Sequence, residues 1–180
     1  IPAFHAPWLL DCLRAGCCRV AHPWRPTQVS RVPLVPAAVD LIVFWTKNSA
    51  PLFPHLGEID RLGFRYGFLF TVNDYAAAWE PGVPPLSDRI AAFRRLAERL
   101  GPNKVVWRYD PIILSRRMDA AFHRRAFGTI AAALRGSTRR VIVSVLDRYA
   151  RIEAGVAAAE SVTDDRVEAT PLDHPDFPAL

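Results

Sequence analysis

Four short apolar runs, separated by amphipathic stretches, constrain the fold of this chain more than any other feature. They cover residues 41–46, 66–72, 104–109 and 140–146, and their apolar residues follow one another with little alternation. Such runs are typical of parallel strands that are buried on both faces. Because parallel strands need long crossover connections, the stretches between the runs are predicted to be helices. Pro51 is expected to open the first of these helices, Ser87 to cap the second and Asp119 to cap the third.

This order of elements predicts an α/β fold with a parallel sheet built from repeated βα units. A full eight-stranded barrel usually needs about 250 residues, and this chain has 180. We therefore expect a partial TIM-like barrel, with an open doubly wound sheet as the alternative. Residues 1–149 are expected to form this domain and residues 150–180 a weakly ordered C-terminal tail, since the pattern fades after Asp147. The chain has no Gly-x-Gly-x-x-Gly and no phosphate-loop motif, which argues against a nucleotide-binding Rossmann domain.

Composition narrows the classes of function. The formal net charge is +5, but the basic residues are nearly all arginine and are spread along the chain, which indicates a compositional bias more than a nucleic-acid-binding patch. The three cysteines, Cys12, Cys17 and Cys18, fit no zinc or iron–sulfur spacing and favour a reduced, cytoplasmic protein. No apolar run has the length of a membrane span, so no membrane partner is expected.

Charged side chains stand where several of the runs end. Lys47 follows the first run, Arg108 and Asp110 close the third, and Asp147 follows the fourth. The carboxyl ends of parallel strands share one rim, and ligands collect there in α/β folds. We therefore predict an anion-binding pocket at this rim, with catalytic residues Lys47, Asp110 and Asp147 and substrate-binding residues Arg108, Thr71, Asn48, Gln28 and Arg31.

Each of these residues also has a structural alternative. Arg108 and Asp110 are two positions apart on one strand face, so they form either a structural ion pair or an anion anchor beside a proton-transfer group. Lys47 either binds a phosphate or carboxylate, forms a Schiff base, pairs with Asp110 or is an exposed lysine at a strand end. Asp147 acts as a general base or metal ligand, or caps the next helix, and capping is favoured.

Two further features bear on the site. The five histidines lie far apart in the sequence and form no metal-binding motif, so no metal ligand is assigned. His55 and His123 fall within predicted helices, where we expect partial exposure. The long loop 74–86 is either a functional lid or an ordinary surface excursion.

Four blocks of the sequence carry a family resemblance: 2–4, 28–32, 43–48 and 107–112, which read PAF, QVSRV, VFWTKN and WRYDPI. Over about residues 1–149 they resemble, in order and spacing, a bacterial family known as domain of unknown function 1848. The resemblance implies a radical S-adenosylmethionine-like partial barrel. Family members usually carry a serine-arginine-arginine-threonine-aspartate run before the position of Ile1. Many also carry, far downstream, a triplet of cysteines with three and then two residues between them, a spacing that resembles the iron–sulfur motif of radical S-adenosylmethionine enzymes.

The resemblance implies an iron–sulfur cluster and S-adenosylmethionine as cofactors. This chain contains neither the arginine-rich run nor the cysteine triplet. We therefore expect a fragment or a truncated member of the family, to which no cluster chemistry is assigned.

The sequence supports two functions from different classes. The favoured one is an uncharacterised enzyme that binds a small-molecule or anionic substrate at the strand rim. The alternative is a nucleic-acid-associated module in which Arg19, Arg25 and Arg31 contact phosphates and Trp24 stacks on a base. Self-association is also expected, because a barrel that is cut short leaves strand edges uncovered.

Overall fold

The computed structural model describes residues 1–147 and 149–168. Its helices are α1 (Ala6–Arg14), α2 (Leu56–Arg61), α3 (Leu86–Leu100), α4 (Ala120–Ala133) and α5 (Ala150–Thr163). Its strands are β1 (Cys17–His22), β2 (Arg25–Pro33), β3 (Ile42–Thr46), β4 (Tyr66–Thr71), β5 (Val105–Ile112) and β6 (Val141–Val145).

The four apolar runs form one parallel sheet, in the order β3-β4-β5-β6. The predicted α/β class is therefore confirmed, while the choice between a partial barrel and an open sheet stays a prediction. Strands β5 and β6 pair in parallel, with Trp107 opposite Val141 and Arg108 opposite Ile142. In parallel pairing, opposite residues share a face, so the register decides which side chains can meet.

Burial on both faces of every strand, as expected from the apolar runs, is not observed. In β3, Phe44 and Thr46 are buried, whereas Val43 and Trp45 are 51% and 63% exposed. The exposed and buried side chains alternate along β3, so one face of this strand is covered and the other is open. β3 also stands at one end of the described sheet.

The irregular strand predicted at residues 28–34 belongs to a separate two-stranded sheet. Strands β1 and β2 pair antiparallel as a hairpin around Pro23 and Trp24. At its base, the Leu34 N–H donates to the Gly16 carbonyl at 2.9 Å. Gly16 has a φ of +66°, and a Cβ there would approach Val35 to 3.2 Å, so both backbone and space require glycine.

Of the starts predicted for α2, α3 and α4, that of α4 agrees with its local sequence signal. Asp119 caps α4 as predicted, because its carboxylate accepts from the Phe122 N–H at 2.7 Å. Ser87 does not cap α3, which begins after Pro85 without a side-chain cap. The helix expected from Pro51 begins as a 3-10 turn at Phe53–His55 and becomes α-helical only at Leu56.

By its internal contacts the chain divides into two compact units, Ile1–Leu69 and Phe70–Leu180, and the division falls inside β4. The core of the first unit is formed by large buried side chains of α1, β3, α2 and β4: Leu10, Leu13, Phe44, Leu56, Ile59, Tyr66 and Phe68. The core of the second is formed by Phe70, Phe93, Leu96, Trp107, Tyr109, Ile130 and Leu134.

Residues beyond 149 include α5 and a short segment that contacts the loop after β5. Asp165 is 2% exposed and accepts from the Ser115 hydroxyl at 2.6 Å, and the Glu168 N–H donates to the Leu114 carbonyl at 2.9 Å. The domain boundary at residue 149 stays a prediction, and the predicted loose tail lies outside the described residues from residue 169 onward. None of the described helices has the length and apolar character needed to cross a membrane.

Candidate functional site

Arg108, Asp110 and Ser144 meet at the carboxyl ends of β5 and β6. Arg108 and Asp110 form an ion pair, and the Ser144 hydroxyl donates to Oδ1 of Asp110 at 2.5 Å. The side chains of the ion pair are 12% and 11% exposed, so both are largely withdrawn from water but still reachable. Pairing follows from the two-residue spacing on one strand, and contact with Ser144 follows from the register of β6.

Burial lowers the pKa of the Arg108 guanidinium from its ordinary value, because removal from water disfavours the charged form. The carboxylate of Asp110 supplies the compensating negative charge. The pair as a whole is electrically neutral, and the guanidinium brings five N–H donors to this position.

Asn73 clamps the backbone of Asp110. Its Oδ1 accepts from the Asp110 N–H at 3.1 Å, and its Nδ2 donates to the Asp110 carbonyl at 3.0 Å. The same Nδ2 donates to Glu80 at 3.3 Å, and Glu80 forms an ion pair with Arg89 at 3.2 Å. Asn73, Glu80 and Arg89 are all buried, so this network connects the loop after β4 with the strand that carries the site.

Tyr75 fastens the start of the same loop. Its hydroxyl donates to the Pro111 carbonyl at 2.6 Å and accepts from the Ile113 N–H at 3.1 Å. Burial raises the pKa of Tyr75 well above its ordinary value, so the hydroxyl keeps its proton. Because the side chains of both Tyr75 and Glu80 are buried, they anchor this loop, which favours a fixed loop over a mobile lid.

The remaining predicted residues of the second unit have different surroundings. Thr71, at the end of β4, is 1% exposed, and its hydroxyl has no hydrogen-bond partner among the described residues. Asp147 is exposed and does not cap α5, whose N-cap is Tyr149. The favoured capping role of Asp147 was therefore wrong.

The predicted residues of the first unit lie on β2 and after β3. Gln28 and Arg31 are exposed on the hairpin, and Lys47 is partly buried beyond the end of β3. Asn48 accepts from the Ala50 N–H at 3.0 Å through its side chain, which stabilises the turn there. Convergence of these residues with Arg108 and Asp110 stays a prediction.

His123 differs from the expectation of partial exposure, since it is 2% exposed on α4. Its Nε2 lies 2.9 Å from the Ile113 carbonyl and therefore carries the proton, because a carbonyl oxygen only accepts. Its Nδ1 then accepts from the Tyr109 hydroxyl at 2.8 Å. Burial lowers the pKa of His123 and raises that of Tyr109, so both groups are neutral.

The His123–Tyr109 pair borders an apolar cavity of about 260 Å³. Tyr109 is one residue away from both Arg108 and Asp110, so its side chain leaves β5 on the opposite face from the ion pair. The cavity is lined by Tyr109, Ile112, His123, Arg124, Phe127, Gly128 and Val143.

Sequence reasoning missed Ser144, Arg89 and His123. Arg89 stands four and seven positions before Phe93 and Leu96, so a charge on the apolar stripe of α3 was a signal for a buried partner. Ser144 had no comparable signal, because its contact with Asp110 depends on the register of two strands 34 residues apart in sequence.

The cysteines do not fit an iron–sulfur cluster. Cys18 is buried, and Cys12 and Cys17 are partly buried, with all three thiols free. Burial, followed by a hydrogen bond with Cys18, raises the pKa of Cys12, which disfavours the thiolate that a cluster requires. Among the described residues, no three histidine, cysteine or acidic side chains are grouped to hold a metal ion.

The chain matches the model of a known protein family. The model of a family described as a domain of unknown function (DUF1848) matches residues 1–173, so the match extends beyond the region in which the resemblance was recognised. No curated protein and no solved structure matches the chain.

Proposed function

Since this chain belongs to the DUF1848 family, a domain of unknown function, we propose its function from its own side chains. The domain binds a small polar or anionic molecule at the carboxyl ends of β5 and β6 and acts on it as an enzyme. The observation that supports this most directly is the partly accessible cluster of Arg108, Asp110 and Ser144. A bacterial, cytoplasmic enzyme with a partial TIM-like barrel fits the proposal.

Arg108 is the anion anchor. Its planar guanidinium can hold Asp110 through some of its N–H donors and a ligand carboxylate or phosphate through others. Thr71, whose buried hydroxyl lacks a hydrogen-bond partner among the described residues, is a second substrate-binding residue in the proposal. Lys47, Asn48, Gln28 and Arg31 are additional ligand contacts in the proposal.

Asp110 is the proton-transfer group. A carboxylate that already accepts from the Ser144 hydroxyl can accept a proton from a substrate placed at the same position. The Asn73 clamp holds the backbone of Asp110 on both sides of the residue, and such support keeps a reacting group in place. Asp147 and Lys47 are the alternative proton-transfer groups. The radical S-adenosylmethionine likeness adds no step, because the cysteines do not fit a cluster.

The competing role of Arg108 and Asp110 is a purely structural ion pair. The test is isothermal titration with inorganic phosphate at low salt, using wild type and the variants Asp110→Asn and Arg108→Gln. Asp110→Asn removes the internal anion that competes for Arg108, so we expect phosphate to bind about tenfold more tightly, or about 1.4 kcal/mol. Arg108→Gln should abolish binding.

Arg125→Gln is the matched control, because Arg125 is an exposed arginine on α4. It should leave phosphate binding unchanged. Each variant is first checked by circular dichroism, since removing one partner of a withdrawn ion pair can cost about 3–5 kcal/mol of stability. Arg108→Lys serves as a second variant that keeps the charge. Equal phosphate affinity in wild type and in folded variants at positions 108 and 110 would contradict the proposal.

A further inference from the structure

The hairpin of β1 and β2 carries positive charge that the described residues do not neutralise. Arg19, Arg25 and Arg31 lie on it, and residues 12–39 contain no aspartate or glutamate. All three arginines are exposed, and within the described part of the chain no acidic side chain pairs with them. Arg14, just before the hairpin, differs, because it donates to Glu58 at 2.7 Å.

The strand register places two of these arginines directly opposite each other. Arg19 of β1 pairs with Arg31 of β2, so their Cβ atoms lie about 5 Å apart on one face of the hairpin. Like charges at such positions destabilise a sheet. An anion bound between them would remove this repulsion, and the next pair on the same face, Ala21 and Val29, is too short to cover the guanidinium groups.

The tip of the hairpin presents an aromatic ring. Trp24 occupies the turn and is 85% exposed, and its ring centroid lies 5.9 Å from that of His22. Arg25 follows directly in the sequence and pairs in register with His22. An exposed indole beside cationic side chains has the composition of a stacking platform for bases.

We propose that this hairpin binds single-stranded nucleic acid, with Arg19 and Arg31 on the phosphate backbone and Trp24 stacked on a base. Charge complementarity favours a polyanion. The exposed ring favours a single strand over a duplex, because the bases of a duplex already stack on one another. This surface goes beyond the proposed function: of its three contact residues, Arg31 is also a ligand contact of the proposed enzyme site, whereas Arg19 and Trp24 are not.

The proposal is tested by fluorescence anisotropy with labelled oligothymidine, oligouridine and duplex DNA of about 20 nucleotides, at about 50 and 200 mM salt. We expect wild type to bind a single strand more tightly than the duplex. Trp24→Ala should weaken that binding about tenfold. The double variant Arg19→Gln/Arg31→Gln should weaken binding and reduce the slope of log affinity against log salt by about one to two.

The matched control is Arg125→Gln/Arg139→Gln, which removes the same charge from two exposed positions outside the hairpin. Binding by this control should resemble binding by wild type. Preference for oligothymidine or for oligouridine supports the proposal in either direction. An equal loss of affinity in the control would overturn the proposal. So would tight duplex binding that Trp24→Ala leaves unchanged, or a preference for phosphatidylserine vesicles over oligonucleotides.

Discussion

At the scale of single residues, His123 is the group whose surroundings most restrict its chemistry. Its Nε2 donates to a carbonyl and its Nδ1 accepts from Tyr109, so the neutral ring satisfies both nitrogens. In a protonated ring Nδ1 also carries a hydrogen. It would then need an acceptor at the position where the Tyr109 hydroxyl now donates. Burial adds to this cost and lowers the pKa of His123 below its ordinary value of 6.5.

We expect this histidine to make the stability of the protein depend on pH. The unfolded chain binds the proton near pH 6.5, whereas the folded chain binds it only at lower pH. The contribution of His123 to the free energy of unfolding is therefore fully present above about pH 6.5, and it is lost as the pH falls below that value. Urea unfolding at several values between about pH 7 and 5 should show a falling free energy of unfolding in wild type.

His123→Gln should be less stable at pH 7, by about 1–3 kcal/mol for the buried partners left unpaired. Its stability should change less than that of wild type over the same pH range. The same substitution at His5, an exposed position, should preserve the wild-type dependence. A His123→Gln curve parallel to that of wild type would refute the assignment.

At the scale of elements, the loop between β4 and α3 depends on buried charge. Glu80 and Arg89 are 7% and 4% exposed and pair with each other, and Asn73 connects Glu80 with β5. The Arg89 Nε–H has no hydrogen-bond partner among the described residues, so the guanidinium already relies heavily on one carboxylate.

Glu80→Gln should therefore destabilise the protein by about 3–5 kcal/mol, because it leaves the Arg89 charge buried without its counterion. Chemical denaturation at neutral pH measures the change. Glu98→Gln, the same substitution at an exposed position on α3, should change stability by less than about 0.5 kcal/mol. Similar effects of the two substitutions would show that the buried pair contributes little.

The sequence predicts elements whose signals are local and misses contacts that depend on tertiary structure. The four parallel strands were predictable because each is a run of apolar residues, and the cap of Asp119 because a cap acts within three residues. The contact of Ser144 with Asp110 was not predictable, since it requires the register of β5 and β6. The burial of His123 had a local signal that was missed, since His123 stands three and seven positions before Ala126 and Ile130 on the buried side of α4. Its contact with Tyr109 required the tertiary structure.

At the scale of the whole molecule, the strands at the ends of the described sheet expose apolar side chains. In β6, Val141, Ile142 and Val143 are 37%, 36% and 48% exposed, and in β3 Val43 is 51% exposed. Strand edges of this kind pair readily with other chains, and charged residues placed on them prevent it.

We expect the protein to self-associate in solution, and we expect Val143→Lys to reduce this association by placing a charge on β6. Sedimentation velocity over a range of concentrations measures the effect. Val162→Lys on α5 is the control, because Val162 is 77% exposed on a helix and should leave association unchanged. A wild-type protein that stays monomeric at high concentration would disprove the expectation.

The exposure of the hairpin has a consequence for how its sequence can change. From Arg19 to Pro33 the residues whose burial is described are all exposed, so most substitutions there alter the free energy of folding by less than about 0.5 kcal/mol. The requirement to fold therefore excludes few substitutions in this segment. Arginines that persist at positions 19, 25 and 31 through such drift would be retained by what the hairpin contacts, and a mutational scan that selects only for folded protein would let all three disappear.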